Sequence, residues 1–315
     1  MKTSTSSDLN CTFNLAYESA NATGEMYKDQ VTVAPSLVIT DQIIGVDSGP
    51  VSGFNGVDGL LGVGPAGLTN GKTTCGTTIP TITDNLFSQK KIPANQYALS
   101  FQPSTTDSDA NGEITFGGID ESKFTGSINY VPITTDSSSS KYWGVDACAS
   151  YGTGKTSNFN FTSGIVDSGT TLTLLNSDAY LAYQRATGAV VDNQTTLLTV
   201  TEAQYAALQS IYFDIGGITY ELTPNAQTFP RQFNTLLGGD ANKIYLIISE
   251  HLSLPGKDFG FVLGQTFMER FYFVFDTGKN RIGKQILYAS CGFHYYLLTA
   301  IYILFSTPLH RYCHD

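Results

Sequence analysis

The chain has 315 residues, which at roughly 150 residues per domain allows about two domains, each able to bury a core. Hydrophobic residues are 41% and charged residues 14%, the reverse of the balance that keeps a chain disordered. The formal charge of −10 comes with few Lys and Arg, which would repel a phosphate backbone and so disfavours nucleic acid as a partner. Such acidity suits an acidic medium, where protonated carboxylates repel less, or simply serves solubility.

Taken in order, residues 27–34, 37–44, 96–101 and 113–116 read as strands. They are short, rich in β-branched or aromatic residues, and bounded by Gly, Asn, Asp or Ser. Residues 127–133, 211–215, 219–222 and 271–275 read the same way. Helical patterns are few: 79–89, 176–187 and 202–209. The expected class is mostly β. Asp58-Gly-Leu-Leu-Gly-Val-Gly64 is echoed by Phe261-Val-Leu-Gly-Gln-Thr-Phe267, which suggests two related lobes.

Five cysteines (Cys11, Cys75, Cys148, Cys291 and Cys313) are scattered and make neither a dense disulfide framework nor a CxxC. Asn10-Cys-Thr, Asn21-Ala-Thr, Asn160-Phe-Thr and Asn193-Gln-Thr fit the N-glycosylation pattern, usable only on a secretory route. Residues 1–20 nevertheless hold no apolar signal core.

The stretch Ile165-Val-Asp-Ser-Gly-Thr-Thr-Leu172 carries the chemistry. An apolar strand delivers Asp167 into a turn made by Ser168 and Gly169. A carboxylate there is costly unless hydrogen bonds surround it, and the Ser168 and Thr170 hydroxyls and the Gly169 N–H can supply them. An Asx turn ending a strand would leave the same letters. Asp47-Ser-Gly49 reads as such a turn, because Pro50 follows and no apolar pair precedes it.

Here the chain resembles the pepsin-like aspartic proteases, in their fungal branch. The Asp167 stretch is similar to their second active-site loop, and its neighbours fall in the family's order. Tyr17 to Gly24, then Asp29 and Val31, resembles the flap hairpin. Asp58–Gly64 resembles the segment packed under the first aspartate loop. Phe116-Gly-Gly-Ile-Asp120, Thr125-Gly126 and Tyr130-Val-Pro-Ile133 resemble the passage out of the first lobe. Tyr142-Trp143, Val262-Leu-Gly264 and residues 273–276 complete the series.

The resemblance implies a two-lobed, mostly β fold with the cleft between lobes. Residues 1–129 would be an incomplete first lobe with the flap, 130–283 the second lobe, and 284–315 a tail outside the family. The implied activity is endopeptidase cleavage of extended peptides with apolar side chains. Asp167 is the implied catalytic residue, with Ser168, Gly169 and Thr170 orienting it and touching substrate and Tyr17 covering it. No metal or other cofactor is implied, and the partner is a peptide or protein substrate, with no nucleic acid and no membrane. The full-length enzyme is expected to be monomeric, and secreted or vacuolar.

Departures qualify this. The family's first Asp-Thr-Gly or Asp-Ser-Gly loop is expected well before the flap, and no such motif precedes Tyr17, so the chain reads as truncated at its N-terminus and inactive alone. A non-catalytic peptide binder, or a symmetric dimer sharing Asp167, are the alternatives. Glu18 and Ala20 stand where the flap usually has glycines, and Gln265 where many members have Asp. After Gly283 the family continues with an apolar residue and Ala, whereas here Lys284-Gln285 follows. Gly-Lys can be encoded GGT-AAG, which contains a common splice-donor string, so residues 284–315 are expected to be intron read-through. Cys291-x-x-His294 and His310-x-x-Cys313 read as chance spacing, and residues 295–305 are too few for the about 20 a bilayer span needs.

Overall fold

The computed structural model describes residues 3–17, 21–49, 59–103, 111–153, 157–159, 161–252 and 258–287. Glu18, Ala20, Asp58, the Asn160 sequon and the tail motifs from Cys291 onward lie outside these. Contacts divide the chain into two units that part between Lys91 and Ile92, ahead of the 129/130 boundary expected from sequence.

In the first unit, β1 (Ser7–Ala16), β2 (Asn21–Ala34) and β3 (Leu37–Asp47) form an antiparallel meander. Strand β1 was not expected, though its alternation carries it. Cys11 and Phe13 point inward while Asn10, Thr12 and Asn14 face out. The β1–β2 hairpin closes beyond the Ala16–Asn21 pair, and Gly24 lies between Phe13 and Asp47. A Cβ on Gly24 would stand 2.0 Å from the Val46 carbonyl oxygen, so only glycine permits this approach.

Cys11, Phe13, Met26 and Ile79 form the core under the hairpin. Cys11 is disulfide-bonded to Cys75 across a sequence separation of 64, a closure worth roughly 4 kcal/mol in the chain-entropy account. Helix α1 (Ile82–Ser88) opens on a capping box between Thr81 and Asp84, and buries Ile82, Thr83 and Leu86. It begins later than expected because Pro80 disfavours helical geometry at Ile79.

The second unit opens with β4 (Gln96–Ser100), β5 (Glu113–Phe116), β6 (Asn129–Pro132), β7 (Gly144–Asp146), β8 (Cys148–Tyr151) and β9 (Ser157–Phe159). Then follow β10 (Ser163–Val166), β11 (Thr173–Asn176), α2 (Ser177–Thr187), β12 (Val190–Val191), β13 (Leu198–Val200), α3 (Glu202–Ala206), β14 (Ile211–Ile215) and β15 (Ile218–Leu222). The unit ends with β16 (Ile244–Tyr245), β17 (Ile248–His251), β18 (Phe261–Leu263), α4 (Gln265–Met268), β19 (Phe271–Asp276) and β20 (Arg281–Ile286).

Its sheets run β17-β11-β18-β10-β7, β15-β14-β8-β9, β12-β13-β16 and β5-β4-β19-β20-β6. The last explains the early unit boundary. Tyr97 of β4 pairs with Phe275 and Leu99 with Phe273, so β4 and β5 fold with β19 and β20. Strand β20 runs past Gly283 to Ile286. Aromatic packing fills the interior, with Phe161 on Phe261 at 5.0 Å between centroids and Phe213 on Phe267 at 5.3 Å. The Leu-Gly repeat diverges in space. Residues 261–263 form a buried strand, whereas 59–64 form none and Leu60 is exposed.

Candidate active site

Strand β10 lies parallel to β18 through Ile165–Val262 and Val166–Leu263. After Val166 the chain turns and returns as β11, which pairs antiparallel with the other side of β18. Strand β18 therefore passes between the two arms of the Asp167 loop. The Asp167 N–H donates to the Leu263 carbonyl at 3.1 Å. The Gln265 and Thr266 N–H groups donate to the Thr170 and Thr171 carbonyls at 2.7 and 3.0 Å. A Cβ on Gly264 would lie 2.2 Å from the Leu172 oxygen and 2.5 Å from that of Thr170. This is the physical reason for the apolar-apolar-Gly pattern: two apolar residues bury the strand, and glycine lets the aspartate loop cross it.

The carboxylate of Asp167, half-buried, accepts from the Gly169 N–H at 2.9 Å through Oδ1 and from the Thr170 hydroxyl at 2.8 Å through Oδ2. Thr170 N–H donates to the Asp167 carbonyl at 3.2 Å and closes the turn. Gly169 and Thr170 are thus the donors to the carboxylate. Ser168 is half-buried in the same turn, and its hydroxyl is not one of them. Replacing Thr170 by Val removes a donor to a charged acceptor. The expected loss is about 1.5 kcal/mol of stability, read as a lower urea midpoint than wild type.

The other Asp-Ser-Gly behaves differently. Gly49 N–H donates to Asp47 Oδ1 at 2.8 Å, but Ser48 turns its N–H and hydroxyl to the Thr23 carbonyl, both at 3.1 Å. It is an Asx turn at the end of β3, as the sequence suggested.

Three aromatic residues not singled out as site residues lie near the Asp167 loop. Trp143 accepts the Val166 N–H on its carbonyl at 2.9 Å, and its indole donates to the Tyr97 hydroxyl. Tyr97 is fully buried and stacks on Phe275 with centroids 4.8 Å apart. Burial, and then the Asp167 charge, push both the Tyr97 and Tyr142 phenols above their ordinary range. No local signal marks Tyr97, since only the β4–β19 pairing brings it here. Tyr17 lies in the first unit, just beyond β1 at the hairpin end, and is 40% exposed.

Behind the loop, Gln265 is buried and its side-chain amide donates to Glu269 Oε1 at 3.4 Å. Burial raises the Glu269 carboxyl to about 8. Among the described residues no group of His, Cys, Asp and Glu is placed to hold a metal, and no helix is long and apolar enough to cross a membrane.

Comparison with known proteins agrees with this geometry. Residues 1–285 match the family described as eukaryotic aspartyl protease. Polyporopepsin from Irpex lacteus is 53% identical over 285 residues, covering 90% of this chain and 83% of that protein. Cathepsin E from Oryctolagus cuniculus is 29% identical over 293 residues, covering 90% of this chain and 67% of that one. The crystal structure of the aspartic proteinase from Irpex lacteus superposes with a TM-score of 0.88 at 50% identity, over 93% of this chain and 86% of that one. With the Asp-Ser-Gly-Thr loop threaded by its apolar-apolar-Gly strand, and matched along nearly its whole described length, the chain belongs to the pepsin-like eukaryotic aspartyl protease family.

Proposed function

We propose that the protein is an aspartic endopeptidase in which Asp167 supplies one of two facing carboxylates, and that these 315 residues alone are inactive. The observation that carries the reading is the Asp167 carboxylate, held by the Gly169 N–H and the Thr170 hydroxyl at the end of a buried strand. Those donors fix the carboxylate's plane. In the proposed reaction a second carboxylate stands about 3 Å away, and like charges that close share one proton. The ionised member takes a proton from a water held between them, and that water attacks the peptide carbonyl. The protonated member donates to the carbonyl oxygen. Ser168, Gly169 and Thr170 contact the backbone of an extended peptide with apolar side chains.

The proposed inactivity rests on the sequence, in which no Asp-Thr-Gly or Asp-Ser-Gly precedes Tyr17. Asp47, the other Asp-Ser-Gly aspartate, sits in an Asx turn at the end of β3. The two carboxylates act as a unit, so absence of one should cost at least about 10⁴-fold in kcat. Acid proteolysis of an unfolded substrate by purified 1–315, with and without a statine-type inhibitor, tests this. No inhibitable cleavage from folded protein is the expected result. Inhibitable cleavage that vanishes in Asp167→Ala would overturn the inactivity. A rate rising with the square of protein concentration would assign the missing carboxylate to a second copy.

We also infer a secretory route to an extracellular or vacuolar site for the glycosylated protein. The Cys11–Cys75 disulfide is the kind of bond that oxidising compartments maintain, and the sequons are usable only there.

A further inference from the structure

We propose that Asn193 is an N-glycan acceptor, and that its glycan shields the open edge of the β12-β13-β16 sheet. Asn193-Gln194-Thr195 has the acceptor pattern. The structure places it in the turn between β12 and β13, with Asn193 exposed. Asp192 builds that turn. Its Oδ1 accepts from the Gln194 N–H at 3.1 Å, the Thr195 N–H at 2.9 Å and the Thr195 hydroxyl at 3.1 Å. Its Oδ2 pairs with Lys243, and Gln194 ties the turn to the Gly238 carbonyl. Each neighbour is thus anchored inward. The Asn193 side chain bonds to no other described residue and is left facing solvent.

The adjoining strand gives the position a purpose. β12 is the outer strand of its sheet, and its two residues, Val190 and Val191, are 63% and 46% exposed. An apolar outer strand invites pairing with another chain. Natural edges are blunted by shortness, charge, proline or cover; β12 is two residues long and carries no charged side chain. A bulky, hydrated glycan two residues from Val191 would provide that cover.

The step is a transfer from a lipid pyrophosphate-linked oligosaccharide. The Asn193 amide nitrogen bonds to C1 of the first sugar, the C1–O bond to pyrophosphate breaks, the amide proton is lost, and the lipid pyrophosphate leaves. In the folded turn the Thr195 hydroxyl is already given to Asp192. Transfer therefore precedes folding of this turn, and folded, unmodified protein should be a poor acceptor. Asn21, also exposed, begins β2 and provides an internal comparison.

The proposal rests on the secretory reading above. The test uses the full 315 residues behind a cleavable secretion leader in a glycosylating yeast, recovering protein from the endoplasmic reticulum and the medium together. Peptide-N-glycosidase in oxygen-18 water should label position 193. Asn193→Gln should lose the label and one glycan's mass, while Thr195→Ser should keep both. Because the leader imposes the route, an unlabelled position 193 in both pools overturns the site without touching the route. Light scattering then reads the role. Enzymatic trimming should at least double the concentration-dependent mass, and Val191→Lys should reverse the gain. Labelled protein that stays equally monomeric after trimming would overturn the shielding.

Discussion

Replacing Glu269 by Gln is expected to abolish a loss of stability that the wild type suffers as pH rises from about 4.5 to about 8. Glu269 follows α4, is 4% exposed, and has Gln265 as its hydrogen-bond partner. Its carboxyl ordinarily ionises at 4.5, and burial raises this to about 8 in the fold. The adjacent Arg270 cation pulls the other way and loses to desolvation. Arg270 itself is lowered only to about 10 by burial, so it holds its charge throughout this window.

Below pH 4.5 both states keep the Glu269 proton and its contribution is complete. Above that the unfolded chain releases a proton the native state retains, so stability falls by about 1.4 kcal/mol per pH unit. The fall ends near pH 8, having cost on the order of 5 kcal/mol. The substituted amide would keep an acceptor for Gln265 and cannot ionise. Urea unfolding from pH 4 to 8 should show the two proteins diverging steadily, the variant becoming the more stable. Parallel curves would mean Glu269 is ionised in the native state. Glu269 by itself thus favours the fold in acid.

The second large effect has the opposite pH sense. Lys284→Met should stabilise the protein by roughly 3–5 kcal/mol, the scale of an uncompensated buried charge, and most strongly in acid. Lys284 lies in β20 opposite Phe273, and its amine sits 3.5 Å from the centroid of the Tyr220 ring with no hydrogen-bond partner among the described residues. Burial pushes it well below its ordinary 10.5. The unfolded chain therefore takes up a proton below pH 10.5 that the native state resists. The penalty grows as pH falls and is complete below the native value. Methionine fills the same straight slot without a proton to lose. The midpoint difference between the two proteins should be larger at pH 4 than at pH 9. An equal difference at both would falsify the desolvation account.

Lys284 also shows how far sequence reasoning reached. That this position expects an apolar residue followed from the family pattern. That the lysine is nonetheless enclosed, by Tyr220 from a distant hairpin and Phe267 from α4, is a tertiary fact. Strand β1 was within reach and missed, because its inward pair of Cys11 and Phe13 is hidden among polar letters that look like a loop. The Cys11–Cys75 pairing could not be chosen from five scattered cysteines. The β1–β2 hairpin core decides it by bringing residues 72–74 beside β1.

By itself the sequence determined the mostly β class, several strand positions and the family, and it singled out Asp167 as the proposed reactive carboxylate. These depend on local patterns: alternation, turn residues, and a carboxylate set between an apolar strand and small hydroxyl residues. Tertiary structure alone decided why Gly264 must be glycine and how Tyr97 and Trp143 come to stand by the loop. It also decided that Glu269 and Lys284 are stripped of water. Each of these arises where strands far apart in sequence pack together, and desolvation and close backbone approach depend on what packs there rather than on neighbours along the chain.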